Sequence, residues 1–314
     1  MEFRSIVPII KNENQINYNS KIVSFGSCFA ENIAAKFDFY KFENLCNPFG
    51  IIFNVVSLEK IITRVVNLDY YSEKDIFQNN GLWHCYEIHS SLSTANKKEL
   101  IDLLNTKLFE CHSYLLRTTT LIITAGTSWV YQLNESQEIV ANCHKMPQNL
   151  FSKILLTTEN NISSLKNIIS KIHEIKPDIN FTFTISPVRH IKDGFFENNV
   201  SKSNLFSAIY EIVSCKLGTY FPSYEIVVDE LRDYRFYTSD LLHPTDLAID
   251  YIWDQFKETQ LSADSYLIIE AVDSIQKMLR HRPKNATSGE YDVFKRKLEI
   301  KIAQLNSTHP QIKF

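Results

Sequence analysis

The chain has 314 residues, 44% of them hydrophobic, and a formal net charge of −3. That size and apolar share supply a real core for one large or two small domains, and a mixed surface without a basic stripe argues against a nucleic-acid partner. No apolar run approaches the roughly 20 residues that span a bilayer, and the opening "MEFRSIVPIIKNENQ" has neither a signal-peptide apolar core nor a cleavage site, so a soluble, cytoplasmic protein is expected.

Strand-like and helix-like stretches alternate along the chain. Ile22–Phe25 reads as the first strand, and Ile51–Val55, after the turn "NPFG", as the second. "TTTLIITAG" (118–126) is a β-branched buried strand that stops at Gly126. "INFTFTIS" (179–186) and "YEIVVDEL" (224–231) read as two more. Helical patterns fall near 57–67, 97–117, 159–175 and 202–216. This alternation predicts an α/β fold, a three-layer α/β/α sandwich around a mostly parallel sheet. "SWVYQL…EIVANCHK" (128–145) breaks the pattern and is expected as a hairpin inserted after the third strand. The division expected is a main domain over 1–258 and a packed helical appendage over 259–314, in which two helices flank "RPKNATS".

In a doubly wound sheet, sites form beyond the carboxyl ends of the strands. "FGSCFAEN" (25–32) places Ser27 and Cys28 between the first strand and a helix. "SDLLHPTDLAIDYIWDQF" (239–256) places Asp240 and His243 just before another helix, whose apolar face is Leu247, Ala248, Tyr251, Ile252 and Phe256. A carboxylate three residues before a histidine can fix its tautomer and leave the other ring nitrogen to take a proton from a nucleophile. The plain alternative is a helix entry with a capping aspartate. The six cysteines are scattered without a C-x-x-C pair, so neither a zinc ribbon nor a disulfide framework is suggested. No two histidines share i, i+3 or i+4 spacing on a recognisable helix, so no metal is expected.

These motifs resemble the GSCFA family, within the SGNH/GDSL hydrolase superfamily. The resemblance runs through Gly26–Ala30, "NPFG" (47–50), "AGTSWVY" (125–131), "ANCHK" (141–145), "SPVRH" (186–190), "LRDYRFY" (231–237) and "DLLHP" (240–244). It implies an exposed Ser–His–Asp-type site for ester or acyl chemistry, with two departures. Counted from the glycine, Cys28 falls where the superfamily's nucleophilic serine stands, and Ser27 falls one residue early. The superfamily's Gly-x-Asn block becomes Gly126-Thr127-Ser128, which lacks the amide donor; Asn47 or Asn142 would have to replace it. The oxyanion candidates are therefore Gly50, Gly126, Ser128 and Asn142, with a simple turn after Pro48 as the other account of Gly50.

Cys28 is the favoured nucleophile, because a thiol at a helix N-terminus is expected to have a lowered pKa. Ser27 is the alternative nucleophile or else the helix cap, with Glu31 in the first turn. His144, Arg189, His190 and Asn47 are the candidate substrate-binding residues. The expected activity is hydrolysis of small acyl esters, on a carbohydrate by superfamily analogy. The first alternative is acyl transfer to a carbohydrate hydroxyl, with acyl-coenzyme A as co-substrate and no other cofactor. The second is a carbohydrate-binding module with a dead site.

Overall fold

The run Ile22–Phe25 sends Ile22 to one side of a sheet and Val23 and Phe25 to the other, and all three are buried. Burial on both faces marks a central parallel strand. In the computed structural model, which describes residues 4–281 and 289–314, this strand, β1 (Lys21–Gly26), pairs with β2 (Glu43–Cys46) and with β3 (Thr120–Ala125). Strand β4 (Asn180–Ile185) adds to β3, and β5 (Thr219–Tyr220) adds to β4. All these pairings are parallel, and the order β5-β4-β3-β1-β2 is that of a doubly wound sheet whose direction of winding reverses between β1 and β3.

Two expected strands are corrected. Ile51–Val55 is not a strand; the second strand is β2, a short, half-buried edge without a clear two-residue period. "YEIVVDEL" folds as helical turns over Ser223–Glu230. Its buried residues are Ile226, Val227, Glu230 and Leu231, a spacing of four to five that belongs to a wide helical turn despite the β-branched run.

Helices cover both faces. Helices α2 (Val55–Asn67), α3 (Lys97–Leu115), α4 (Thr158–Ile175) and α5 (Phe195–Ser214) share one apolar cluster with Val23, Phe25, Leu121, Ile123, Phe181 and Phe183. Helix α1 (Cys28–Phe39) and α6 (Asp246–Gln260) cover Ile22 and Ile122 on the other face. There Phe37 meets Trp253 edge-on at 5.3 Å and Phe256 at 5.7 Å. This is the three-layer arrangement expected. Helix α5 starts earlier than its pattern suggested, because Phe195 and Phe196 in its first turn are exposed and carry no amphipathic signal.

The insertion after β3 is a three-stranded antiparallel ribbon of Trp129–Leu133, Ile139–Val140 and Phe151–Leu155, one strand more than a hairpin. Helices α7 (Ser265–Arg280) and α8 (Gly289–Thr308) extend the second cluster through Ile269, Val272, Ile275 and Leu305. "RPKNATS" between them lies outside the described residues. Among the described residues no helix is long and apolar enough to cross a membrane.

Candidate active site

The exit from β1 is built around one glycine. Gly26 has φ +137°, and a Cβ there would stand 2.1 Å from the Thr124 carbonyl oxygen, so a side chain is excluded both by backbone conformation and by the packing of β1 on β3. Its N–H donates to Asn47 Oδ1 at 2.9 Å. Ser27 follows as the N-cap of α1, fully buried, with its Oγ accepting the Phe29 N–H at 3.3 Å. Ser27 is thus the cap of α1, and it does not line the cleft into which Cys28 opens. Ser27→Ala is expected to cost about 1 kcal/mol of folding stability in denaturant melts and to leave turnover unchanged. Loss of activity with unchanged stability would contradict this role.

Cys28 is the first residue of α1 and faces open space. It is half-buried and lines a cleft of about 680 Å³ together with Phe53, Asn54, Trp129, Arg189, His190 and His243. The expected depression of its pKa is not found. Burial pushes the thiol above its ordinary value, and the Glu31 carboxylate adds to this; the N–H groups of Phe29 and Cys28 and the Lys202 ammonium pull the other way without prevailing. Desolvation therefore wins over the helix terminus, and at neutral pH Cys28 rests as a thiol.

The second component comes from the loop before α6. Asp240 Oδ2 lies 2.6 Å from His243 Nδ1, and its Oδ1 accepts the N–H groups of Leu242 (2.8 Å) and His243 (3.0 Å) and the Thr238 hydroxyl (2.7 Å). These four donors hold the Asp240 carboxyl well below its ordinary pKa, the two backbone N–H groups counting most. An ionised carboxylate only accepts, so Nδ1 carries a proton, and the neutral form of the ring is the tautomer whose Nε2 presents the lone pair. Leu241 is left with φ +61°, a strained conformation for a leucine. Thr245, rather than Asp240, caps α6. The apolar face of α6 includes Ile249 and Trp253, whereas Leu247 is exposed.

Between these parts lies the segment 47–54. Ile52 N–H donates to Gly26 O at 3.0 Å, and Phe53 O accepts Gly126 N–H at 2.7 Å and Thr127 N–H at 3.2 Å. The segment therefore crosses the carboxyl ends of β1 and β3, where the winding reverses. Three of the four oxyanion candidates are corrected here. Gly50 N–H is used by Asn47 O at 2.8 Å and Gly126 N–H by Phe53. Ser128 is fully buried, its N–H and hydroxyl both bonded to Ser201. Asn142 does line the cleft, with its Oδ1 turned to the His144 N–H.

Of the substrate-binding candidates, Arg189 and His190 line the cleft. Asn47 does not; it is buried and anchors Gly26. His144 is also outside, buried against Phe77, His84 and Tyr86 with Nε2 2.7 Å from Cys85 O, and burial lowers its pKa to about 4. His190 is likewise lowered to about 4, first by burial and then by the charges of Lys202 and His243 nearby, so it is neutral at neutral pH.

Two residues escaped the sequence reading. Lys202 is buried on α5, donating to Gly126 O and Ser186 O, each at 2.7 Å, and burial lowers its pKa to about 7. It ties together the ends of β3 and β4, close enough to Cys28 for the two charges to interact. Its phase on the buried face with Asn198, Ser201, Leu205 and Ile209 was a readable signal. Asn54 caps α2, its Oδ1 accepting the Ser57 N–H at 2.8 Å, and it is 5% exposed. Among the described residues its Nδ2 has no hydrogen-bond partner, and the residue lines the cleft.

A family model described as "GSCFA family" matches residues 21–256, from β1 to four residues short of the end of α6. A second, "GSCFA domain protein, C-terminal domain", matches residues 272–314. No curated protein matches the chain. Because the first match takes in the sheet, the cleft and the Asp240–His243 loop, the chain belongs to the GSCFA family.

Proposed function

We propose that the protein is an SGNH-type hydrolase of small acyl esters in which Cys28 is the nucleophile and His243, oriented by Asp240, is the general base. The observation that carries this reading is the meeting in one cleft of a thiol and a histidine whose Nδ1 is held by a carboxylate. Because Cys28 rests as a thiol, it needs a base to become reactive. His243 Nε2 takes the thiol proton as Sγ attacks the acyl carbonyl, and returns it to the departing alcohol oxygen. The thioester is then cleaved by a water that His243 deprotonates, and the thiol is regenerated with release of the acid.

The developing oxyanion is met by two groups. The Cys28 N–H, at the start of α1, has no acceptor among the described residues, as expected for a first-turn amide. Asn54 Nδ2 supplies the amide donor that Ser128 cannot. Asn54→Asp separates this role from capping, since aspartate caps as well as asparagine but presents an acceptor to the oxyanion. Stability is expected to hold while kcat falls roughly 10²–10³-fold, the usual loss for one oxyanion donor. Unchanged kcat in Asn54→Asp would remove Asn54 from the mechanism.

A panel of acyl esters and acyl-coenzyme A donors, with intact-mass detection of an acyl adduct, tests the reaction class. Adduct that yields free acid supports hydrolysis. Adduct that is consumed only with an acceptor hydroxyl moves the reading to acyl transfer. Absence of adduct with every donor returns the non-catalytic binding module.

A further inference from the structure

We infer that the mouth of the cleft is an anion subsite in which Lys145, Arg189 and Lys192 take a phosphate group carried by the non-acyl part of the substrate. This rests on the ester-cleavage reading and names its substrate class. The three cations line the same cleft as Cys28 and His243, and among the described residues none forms an ion pair. The acidic side chain of the lining, Asp193, is tied to Lys153 across the gap between the ribbon and the loop after β4. Asp240, next to the cleft, is already occupied by His243 and three further donors. The surplus of positive charge thus lies inside a chain whose net charge is −3. It is local, and a cleft with low-dielectric walls focuses it.

Arg189 is half-buried, its charge reaches the phenols of Tyr224 and Tyr237, and among the described residues it forms no ion pair. A guanidinium stays charged, and leaving one partly desolvated without a counter-charge is costly unless a ligand provides it.

Lys145 supplies an independent observation. His144 and Lys145 both have positive φ, 48° and 57°, a conformation that non-glycine residues adopt at a cost and that clusters at functional sites. The turn is held by His144 N–H to Asn142 Oδ1 (2.8 Å), His144 Nε2 to Cys85 O (2.7 Å) and Asn79 Nδ2 to His144 O (3.1 Å). The result is that His144 is buried while Asn142, Cys143, Lys145 and Met146 line the cleft. In the same cleft the Lys153 ammonium lies over the Trp129 and Tyr131 rings, 5.3 and 5.7 Å from their centres.

The phosphate has two chemical sources, a coenzyme A-type thioester and a phosphorylated sugar ester. Adenosine 3′,5′-bisphosphate and glucose 6-phosphate probe them, with adenosine and glucose as neutral controls, by calorimetry on the full chain at low ionic strength. The expected result is saturable binding of one phosphate compound, its neutral counterpart at least about tenfold weaker, and an affinity that falls with added salt. Which compound binds identifies the source. Lys145→Ala and Arg189→Ala should each weaken binding roughly tenfold, the loss of one charge-assisted contact. Binding of neither compound, or equal binding by the variant carrying both Lys145→Ala and Arg189→Ala and by the wild type, overturns the subsite. Phosphate binding that responds to these substitutions, in a protein that never acquires an acyl adduct on Cys28, upholds the subsite and sinks ester cleavage instead.

Discussion

His243→Ala is expected to lower acyl turnover roughly 10³-fold, within the 10²–10⁴-fold typical of a positioned general base. The effect is large because burial and Glu31 keep Cys28 protonated, so no pre-formed thiolate bypasses the base. Asp240→Asn tests the tautomer. Asparagine retains an Oδ1 for the N–H groups of Leu242 and His243 and for the Thr238 hydroxyl, so the loop keeps its shape. Its NH₂, however, now donates to Nδ1. The ring proton moves to Nε2, which can no longer accept from the thiol. A fall of about 10²-fold or more in kcat, with an unchanged melting temperature, is the expected outcome. Full activity in either variant would reduce Asp240 and His243 to a helix entry.

Cys28→Ala should abolish both turnover and the acyl adduct, leaving no more than about 10⁻³ of wild-type kcat. Cys28→Ser keeps a slower reaction, because a hydroxyl has a higher pKa than the thiol and depends still more on His243. The pH dependence of Cys28 alkylation checks the electrostatics separately. A raised pKa means that thiolate forms later on the pH axis, so the rate of iodoacetamide modification should rise with a midpoint above that of a free thiol. A midpoint below it would mean that the terminus of α1 and Lys202 outweigh burial.

Much of this was legible in the sequence because it depended on local pattern. Strands β1, β3 and β4 are β-branched, buried on both faces and end at a glycine or proline. Asp240 and His243 are three residues apart, so their contact needed no tertiary information. The glycine-anchored register separated Ser27 from Cys28 for a backbone reason: Gly26 leaves β1 pressed on β3, the next residue must cap, and the one after emerges at the start of α1. What the sequence concealed depended on partners distant in the chain. β2 is an edge strand with weak periodicity, and "EIVV" has strand composition but helical burial. The oxyanion candidates were drawn from superfamily spacing, yet Gly50 and Gly126 spend their N–H groups on Asn47 and Phe53. Those bonds exist only because the segment 47–54 crosses the sheet ends. Lys202 and the αL turn at His144 and Lys145 had local signals, the helical phase of one and the "NCHK" turn of the other, but their meaning came from what packs against them.

In the proposed reaction the acyl group passes through the sulfur of Cys28. Reaction of the full chain with p-nitrophenyl acetate, acid quenching and peptide mapping of the acetylated product tests it most directly. One acetyl group is expected on the peptide bearing Cys28, removable by hydroxylamine as a thioester, formed far more slowly in His243→Asn because the thiol then lacks its base, and absent from Cys28→Ala. An acetyl group carried by Ser27, or a protein that releases acetate with no adduct at Cys28 under any quench, would contradict it.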